Sequence, residues 1–377
     1  MRTRLACLAW VLACVIASAC GDVPEPEPTL PPPSAPTRTA VQDRAIRALV
    51  MDVAEARACE ALRGAFVPLP EDRPARPADE PAVIEGRLRI SECEVERRED
   101  ALEIAIAGQG WRWIQESAPG PLGTRYAVRG YVRFEARVGA RASADLRYDE
   151  QGRRALLALT PEREVSARVA PIGAVPIAAE GGWSSVLGGL GAILGAPLPD
   201  RARPLFEERG AAMVQRMLGG GATLVLDLCT GQLDGALGAL EDGAAPPARP
   251  YGNEEPWRDN ARVHLGPNGL DASGPWATGG RRVRVDLEVE DGGPAHARLA
   301  CRADAERIVD EYLARGRARF DDGASATPGR PIALSLEAGA CDEAVLLVRA
   351  SERDARYRYR VLREGDAPVA WVRCGPR

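Results

Sequence analysis

Residues 125–148 read RYAVRGYVRFEARVGARASADLRY, and no other stretch limits the fold of this chain so sharply. Every even position from Tyr126 to Tyr148 is apolar, alanine or glycine, whereas the odd positions include Arg125, Arg129, Arg133, Glu135, Arg137, Arg141, Asp145 and Arg147. Successive side chains of a strand point to opposite faces, so this period of two predicts one dry and one wet face. Ordinary strands run about five or six residues. An alternation kept from Arg125 to Tyr148 therefore predicts a single very long strand, with Gly139 as the place for a bend. The turn residues Asp149 to Gly152, then Leu157, Leu159, Val165, Ala167 and Val169, predict that the chain returns antiparallel.

Helical spacing brackets these strands. Thr39 and Gln42 stand as in a capping box before the stripe Ile46, Leu49, Val50, Val53 and Ala56, and Gly64 closes that helix. A Pro-rich, charged loop from Pro68 to Pro81 follows; then Leu102, Ile104, Ile106, Trp111 and Trp113 alternate across a break at Gly108–Gly110. Pro204, Glu207 and Glu208 suit the first turn of a second helix, lined by Phe206, Met213 and Met217 and ended by Gly219 to Gly221. Leu224, Leu226 and Leu228 predict a strand after it.

This order resembles the tubular lipid-binding superfamily, to which the bactericidal permeability-increasing protein and the synaptotagmin-like mitochondrial lipid-binding domains belong. The resemblance covers residues 40 to about 240. It implies a long, curved antiparallel sheet wrapped around two helices, with an apolar groove for lipid. The dry face of the long strand bears small residues, Gly130, Ala136, Ala140, Ala142 and Ala144. Either a helix packs closely there or an acyl chain fills the space, because empty apolar volume costs about 24 cal/mol per Å³.

Beyond LEDGAAPPARP, a linker by composition at residues 240–250, the period of two resumes. Val283, Val285, Leu287 and Val289, then Ala297 and Leu299, then Ile332, Leu334 and Leu336, then Val345 and Leu347, then Tyr357, Tyr359 and Val361, and finally Val369 and Trp371 predict short strands. A helix from Asp304 to Arg315 interrupts them. The expected fold class is α+β: a long curved antiparallel sheet with two helices over 39–243, followed by a small all-β sandwich over 251–377.

The opening residues give an address. MRTRLACLAWVLACVIASAC has Arg2 and Arg4, an apolar run from Leu5 to Ile16, small residues and then Cys20. That is a secretory signal over 1–19. It resembles the lipobox of bacterial lipoproteins, with Ala17 where a leucine is usual, and implies lipidation of Cys20 after cleavage. Cys14 is a rival that would leave a very short apolar run. Residues 20–38 form a Pro-rich tether which, at about 3 Å per residue, lifts the body some 50 Å off a membrane. The implied location is the cell envelope, on the periplasmic or surface face of a bacterial membrane. Cys59, Cys93, Cys229, Cys301, Cys341 and Cys374 are disulfide candidates in that oxidising compartment, with at least one pair expected among the first three.

Chemistry has little support. The net charge is −5, so nucleic acid is disfavoured as a partner. The chain has two histidines, His264 and His296, and neither GxSxG nor HExxH occurs, so no catalytic residue, metal ligand set or cofactor is expected. The acids Asp227 and Asp234, and the group Glu288, Glu290 and Asp291, lack the spacing of a calcium loop. One uncharged stretch remains, GGWSSVLGGLGAILGAPLP at residues 181–199, too rich in glycine and proline for a membrane helix. Either it is a buried connection, or Trp183, Val186, Leu187, Leu190, Ile193 and Leu194 form an apolar lip where a lipid enters. The sequence thus points to a non-enzymatic envelope lipoprotein that binds an apolar ligand, lipid above all, in its first domain. The alternative is a structural or docking lipoprotein with a solid core and a protein or glycan partner.

Overall fold

The computed structural model describes residues 40–71, 83–119, 125–149, 154–173, 178–179, 198–227, 233–237, 257–258 and 262–364. The chain forms two compact units, 1–46 and 47–377; of the first, only residues 40–46, which begin a helix, are described. In chain order the elements are α1 (Ala40–Leu62), β1 (Phe66–Pro70), β2 (Val83–Arg98), β3 (Ala101–Pro119), β4 (Arg125–Asp149), β5 (Arg154–Pro161), β6 (Ser166–Ile172) and β7 (Ala178–Ala179). They continue with α2 (Leu198–Gly219), β8 (Ala222–Asp227), β9 (Leu233–Leu237), β10 (Trp257–Arg258), β11 (Arg262–Leu265), β12 (Leu270–Ala277), β13 (Arg282–Gly292) and β14 (Ala295–Cys301). The last are α3 (Arg302–Arg315), β15 (Ala324–Ala326), β16 (Ile332–Leu336), β17 (Glu343–Ala350) and β18 (Ala355–Glu364).

The long alternation is one strand, β4, paired with the whole of β3 from Ala101↔Ser143 to Pro119↔Arg125. Its other edge is shared. Residues 142–149 pair with β5 and residues 133–139 with β6, so the partner changes just after Gly139. Val132, Phe134, Ala136, Val138, Ala142 and Ala144 are buried, whereas Glu135, Arg137, Arg141 and Asp145 are exposed, as the pattern requires. The expected break at Gly108–Gly110 is absent, since β3 runs straight through. Those glycines serve close approach instead: a Cβ on Gly110 would sit 2.7 Å from the Phe134 ring and 2.5 Å from the Arg87 carbonyl.

The expected α+β class is overturned. The described residues are mostly strand, in one sheet ordered β16-β13-β18-β11-β2-β3-β4-β5-β8-β9 with β1, β6, β7 and β10 beside it, and a second sheet ordered β12-β17-β14-β15. Nor do the strands beyond residue 251 close a small sandwich by themselves. β11 pairs in parallel with β2 at Arg262↔Val83 and Val263↔Ile84, which carries β18, β13 and β16 onto the same sheet as the long strands. The reason lies in β2, whose residues Gly86, Arg87 and Leu88 are all buried. Both of its faces are covered, and such a strand belongs at the centre of a sheet, not at its edge. The expected linker at 244–250 lies outside the described residues.

Two cores flank the second sheet. On one face Ala344, Leu346, Val348 and Ala350 of β17 pack with Val283, Val285, Leu287, Val289, Tyr357 and Val361 of the large sheet. On the other, Val345 and Leu347 pack with Trp111, Phe66 and the α3 residues Ala305, Ile308, Val309 and Tyr312. The apolar run AVLLV is thus a strand buried on both sides. α3 ends at Gly316, whose φ of 70° is the left-handed cap that glycine adopts most readily.

A polar cluster joins the sheets within this core. Asp271 of β12 accepts hydrogen bonds from Arg87 of β2 (Nε 2.5 Å, Nη2 3.1 Å), from Ser273 (3.0 Å) and from the Tyr357 hydroxyl of β18 (2.6 Å). Arg87 also donates to Ser273 Oγ at 2.6 Å. Burial lowers the affinity of the Arg87 guanidinium for its proton, but the Asp271 carboxylate outweighs that and holds it above its ordinary range.

Candidate functional site

The dry face bears on the choice between groove and solid core. Met213 and Val214 of α2 pack against Leu69, Leu88, Phe134, Ala136, Val138, Val165 and Val169. Gly210 brings the helix axis down onto β6, since a Cβ there would lie 2.9 Å from Val169. Ala136 and, less fully, Ala140 of β4 therefore pack in the same cluster as this helix.

The wet face is not bare either. Its one aromatic on β4 is Tyr131, paired across the strands with Trp113 of β3; the rings lie 5.2 Å apart. Gly266 and Gly269, in the turn after β11, press onto these rings: Cβ atoms would fall 2.3 Å from Trp113 and 2.1 Å from the Tyr131 hydroxyl. The Gly266 N–H donates to that hydroxyl at 3.0 Å. Burial, with the neighbouring Tyr312, keeps the Tyr131 phenol protonated well above its ordinary range.

Around this pair lies a shallow, open depression of about 630 Å³, lined by Trp113, Arg129, Tyr131, Pro267, Glu352 and Asp354 among others. The Arg129 guanidinium sits 6.0 Å over the Trp113 ring and pairs with Asp354 at 3.4 Å. His264 stands edge-on to Trp113, its Nε2 3.8 Å from Asp354 and its Nδ1 3.9 Å from Glu85. Trp113 Nε1 is buried and has no hydrogen-bond partner among the described residues. Guanidinium donors, carboxylate acceptors and an aromatic floor suit a polar, hydroxylated or peptide-like group. Among the described residues the lining holds no serine or cysteine.

His296 occupies a different place. Its Nδ1 lies 3.1 Å from Ser325 Oγ, its cross-strand partner, and its ring stacks on Phe320 at 5.3 Å. Burial and then the nearby Arg349 push its pKa below the ordinary histidine value. The Phe320 backbone and the carboxylates of Asp321 and Asp322 act on the ring in the opposite direction. The acids Glu288 and Asp291 are engaged by Arg358 and Arg356 across β13 and β18, and no group of metal-binding side chains occurs among the described residues.

Of the residues singled out in the sequence, Cys59 bonds Cys93, fixing α1 to β2, and Cys301 bonds Cys341. The first bridge meets the expected pair among Cys59, Cys93 and Cys229. Cys20, Trp183, Val186, Leu187, Leu190, Ile193, Leu194, Cys229 and Cys374 lie outside the described residues. The depression was missed by sequence reasoning, although one signal pointed to it: Tyr131 interrupts an odd face otherwise composed of charged and small residues. No described helix is long and apolar enough to cross a membrane.

No protein-family model and no curated protein matches the chain. Among solved structures, a glycoside hydrolase family 43 arabinoxylan arabinofuranohydrolase from Bacillus subtilis, in complex with cellotetraose, aligns at 10% identity and TM-score 0.17 over 73% of this chain and 79% of its own. The 7S globulin of Momordica charantia aligns at 14% identity and TM-score 0.16, over 80% and 85%. Neither likeness is large enough to inform the fold or the function.

Proposed function

We propose that this chain is a bacterial envelope lipoprotein, anchored through Cys20 and raised on the Pro-rich tether 20–38, whose β body is a non-catalytic docking module for a protein or glycan partner. One observation carries the choice of docking over lipid carriage. Part of the small-residue face of β4 that an acyl chain would need, at Ala136 and Ala140, packs with Met213 and Val214 of α2. The depression over Trp113 and Tyr131, with donors and acceptors around an aromatic floor, offers a polar partner a place to rest. Lipid carriage keeps one supporting feature, the uncharged run 181–199 with Trp183, Val186, Leu187, Leu190, Ile193 and Leu194.

The test has two arms. Cells supplied with labelled fatty acid should label the protein, and Cys20→Ser should abolish the label; label retained in that variant refutes the anchor. The soluble fragment from Thr37 onward should release no stoichiometric lipid on organic extraction. One bound lipid per chain would refute docking in favour of carriage.

A further inference from the structure

Among the described residues the large sheet ends at β16, a five-residue strand. Among the described residues β16 pairs with β13 alone, in an unbroken register from Leu287↔Ile332 to Val283↔Leu336. Within IALSL there is no charge, no proline and no bulge, the devices by which edge strands are commonly blunted; Pro331 stands just before the strand, outside its pairing with β13. Ile332, Leu334 and Leu336 rest against the core shared by the two sheets yet stay only partly buried, and Ala333 and Ser335 are exposed. From Pro328 to Ala340 no residue is fully buried. Half-covered aliphatic side chains beside a row of free backbone groups are the features of a strand-addition site.

Charge says what fits there. Arg330 precedes the strand and Glu337 follows it; both are exposed, Arg330 forms no ion pair among the described residues, and Glu337 pairs with Arg282 at 2.9 Å. A strand with a cation at one end and an anion at the other complements itself when a copy is laid against it antiparallel. The basic end of each then lies beside the acidic end of the other. We infer that the outer edge of β16 is where a second copy of this chain docks, joining the two large sheets about a two-fold axis at the middle of the strand. Such a contact is isologous and closes at two chains. It brings Leu334 of each copy to the axis and extends the Ile332, Leu334 and Leu336 row into one apolar strip. The inference is independent of the anchor and of the depression.

Single cysteines placed in the full-length protein in its own oxidising envelope test this. Ala333→Cys, Leu334→Cys and Ser335→Cys should give a band of twice the mass on a non-reducing gel, strongest for Leu334→Cys. Control cysteines at Glu311 on α3 and Arg163 between β5 and β6, both away from β16, should give little. Adding Ala333→Arg with Ser335→Arg to the Leu334→Cys protein should reduce the dimer at least tenfold, and mixing that chain with a Leu334→Cys chain carrying Ala333→Glu and Ser335→Glu should restore it. No cross-link at any of the three positions, cross-linking equal to the controls, or failure of the mixed pair to recover would each overturn the inference. A cross-link of different mass, from an extended segment of another protein seated on β16, would overturn it as well.

Discussion

Replacing Asp271 by asparagine should do more damage than any other change of one carboxylate to its amide in this protein. The side chain keeps its size and one oxygen but loses its charge, and its amide N–H₂ turns a donor toward donors. Four hydrogen bonds end on that carboxylate, from Arg87 twice, Ser273 and Tyr357, in a place where the Arg87 and Asp271 side chains are 5% and 1% exposed. The variant leaves a guanidinium in the core with no counter-charge. Breaking a buried pair from one side costs about 3–5 kcal/mol. At roughly 2–4 °C of melting temperature per kcal/mol for a body of this size, Tm should fall by about 6–20 °C. Tyr357→Phe removes one bond to a charged group and should cost less, about 1.5–3 kcal/mol. Thermal unfolding followed by circular dichroism reads both. A fall under about 2 °C for Asp271→Asn would refute the view that this cluster pins the second sheet to the first. Replacing all four members by Met, Leu, Ala and Phe (Arg87→Met, Asp271→Leu, Ser273→Ala, Tyr357→Phe) should recover most of the loss, because the cost lies in the orphaned charge and not in the space.

Cys59→Ser with Cys93→Ser opens a loop of 34 residues and should cost about 4 kcal/mol by chain entropy, seen as a lower denaturant midpoint. Gly210→Leu forces a side chain between α2 and Val169 and should cost about 1–3 kcal/mol in the same assay, whereas Gly219→Leu, which would meet nothing within 4 Å, should be near neutral. His296 is held below its ordinary pKa by burial and by Arg349. As pH falls past the unfolded value of about 6.5 the unfolded chain takes up the proton first, so the fold loses stability until the lower folded pKa is passed. His296→Gln should therefore lose less Tm than the parent between about pH 7.5 and pH 5, and an equal loss would refute the assignment.

Much of the local structure was legible because burial leaves a period. The alternation of 125–148 became β4, the Gly64, Gly219 and Gly316 stops ended their helices, and Asp304–Arg315 appeared as α3 with its start at Arg302. β1 was hidden by Pro68 and Pro70, which read as loop, and the charges at Glu85, Arg87 and Arg89 break the alternation that would mark β2. A buried arginine betrays itself only through its partner, and Asp271 lies 184 residues away. Pairing between distant strands leaves no periodic trace, so the parallel contact of β11 with β2, which merges the two expected domains into one sheet, could not be read from either segment. The depression suffered likewise. Trp113 and Tyr131 were visible as strand residues, but the turns holding Pro267 and Asp354 come from the far half of the chain.

The central claim is an anchored body with a filled interior, and native mass spectrometry of the mature protein extracted from the envelope tests it most directly. The expected spectrum shows a chain beginning at Cys20 with covalent lipid on that residue and no further lipid mass released on activation. A chain beginning elsewhere without lipid, or a stoichiometric lipid lost on activation, would contradict it.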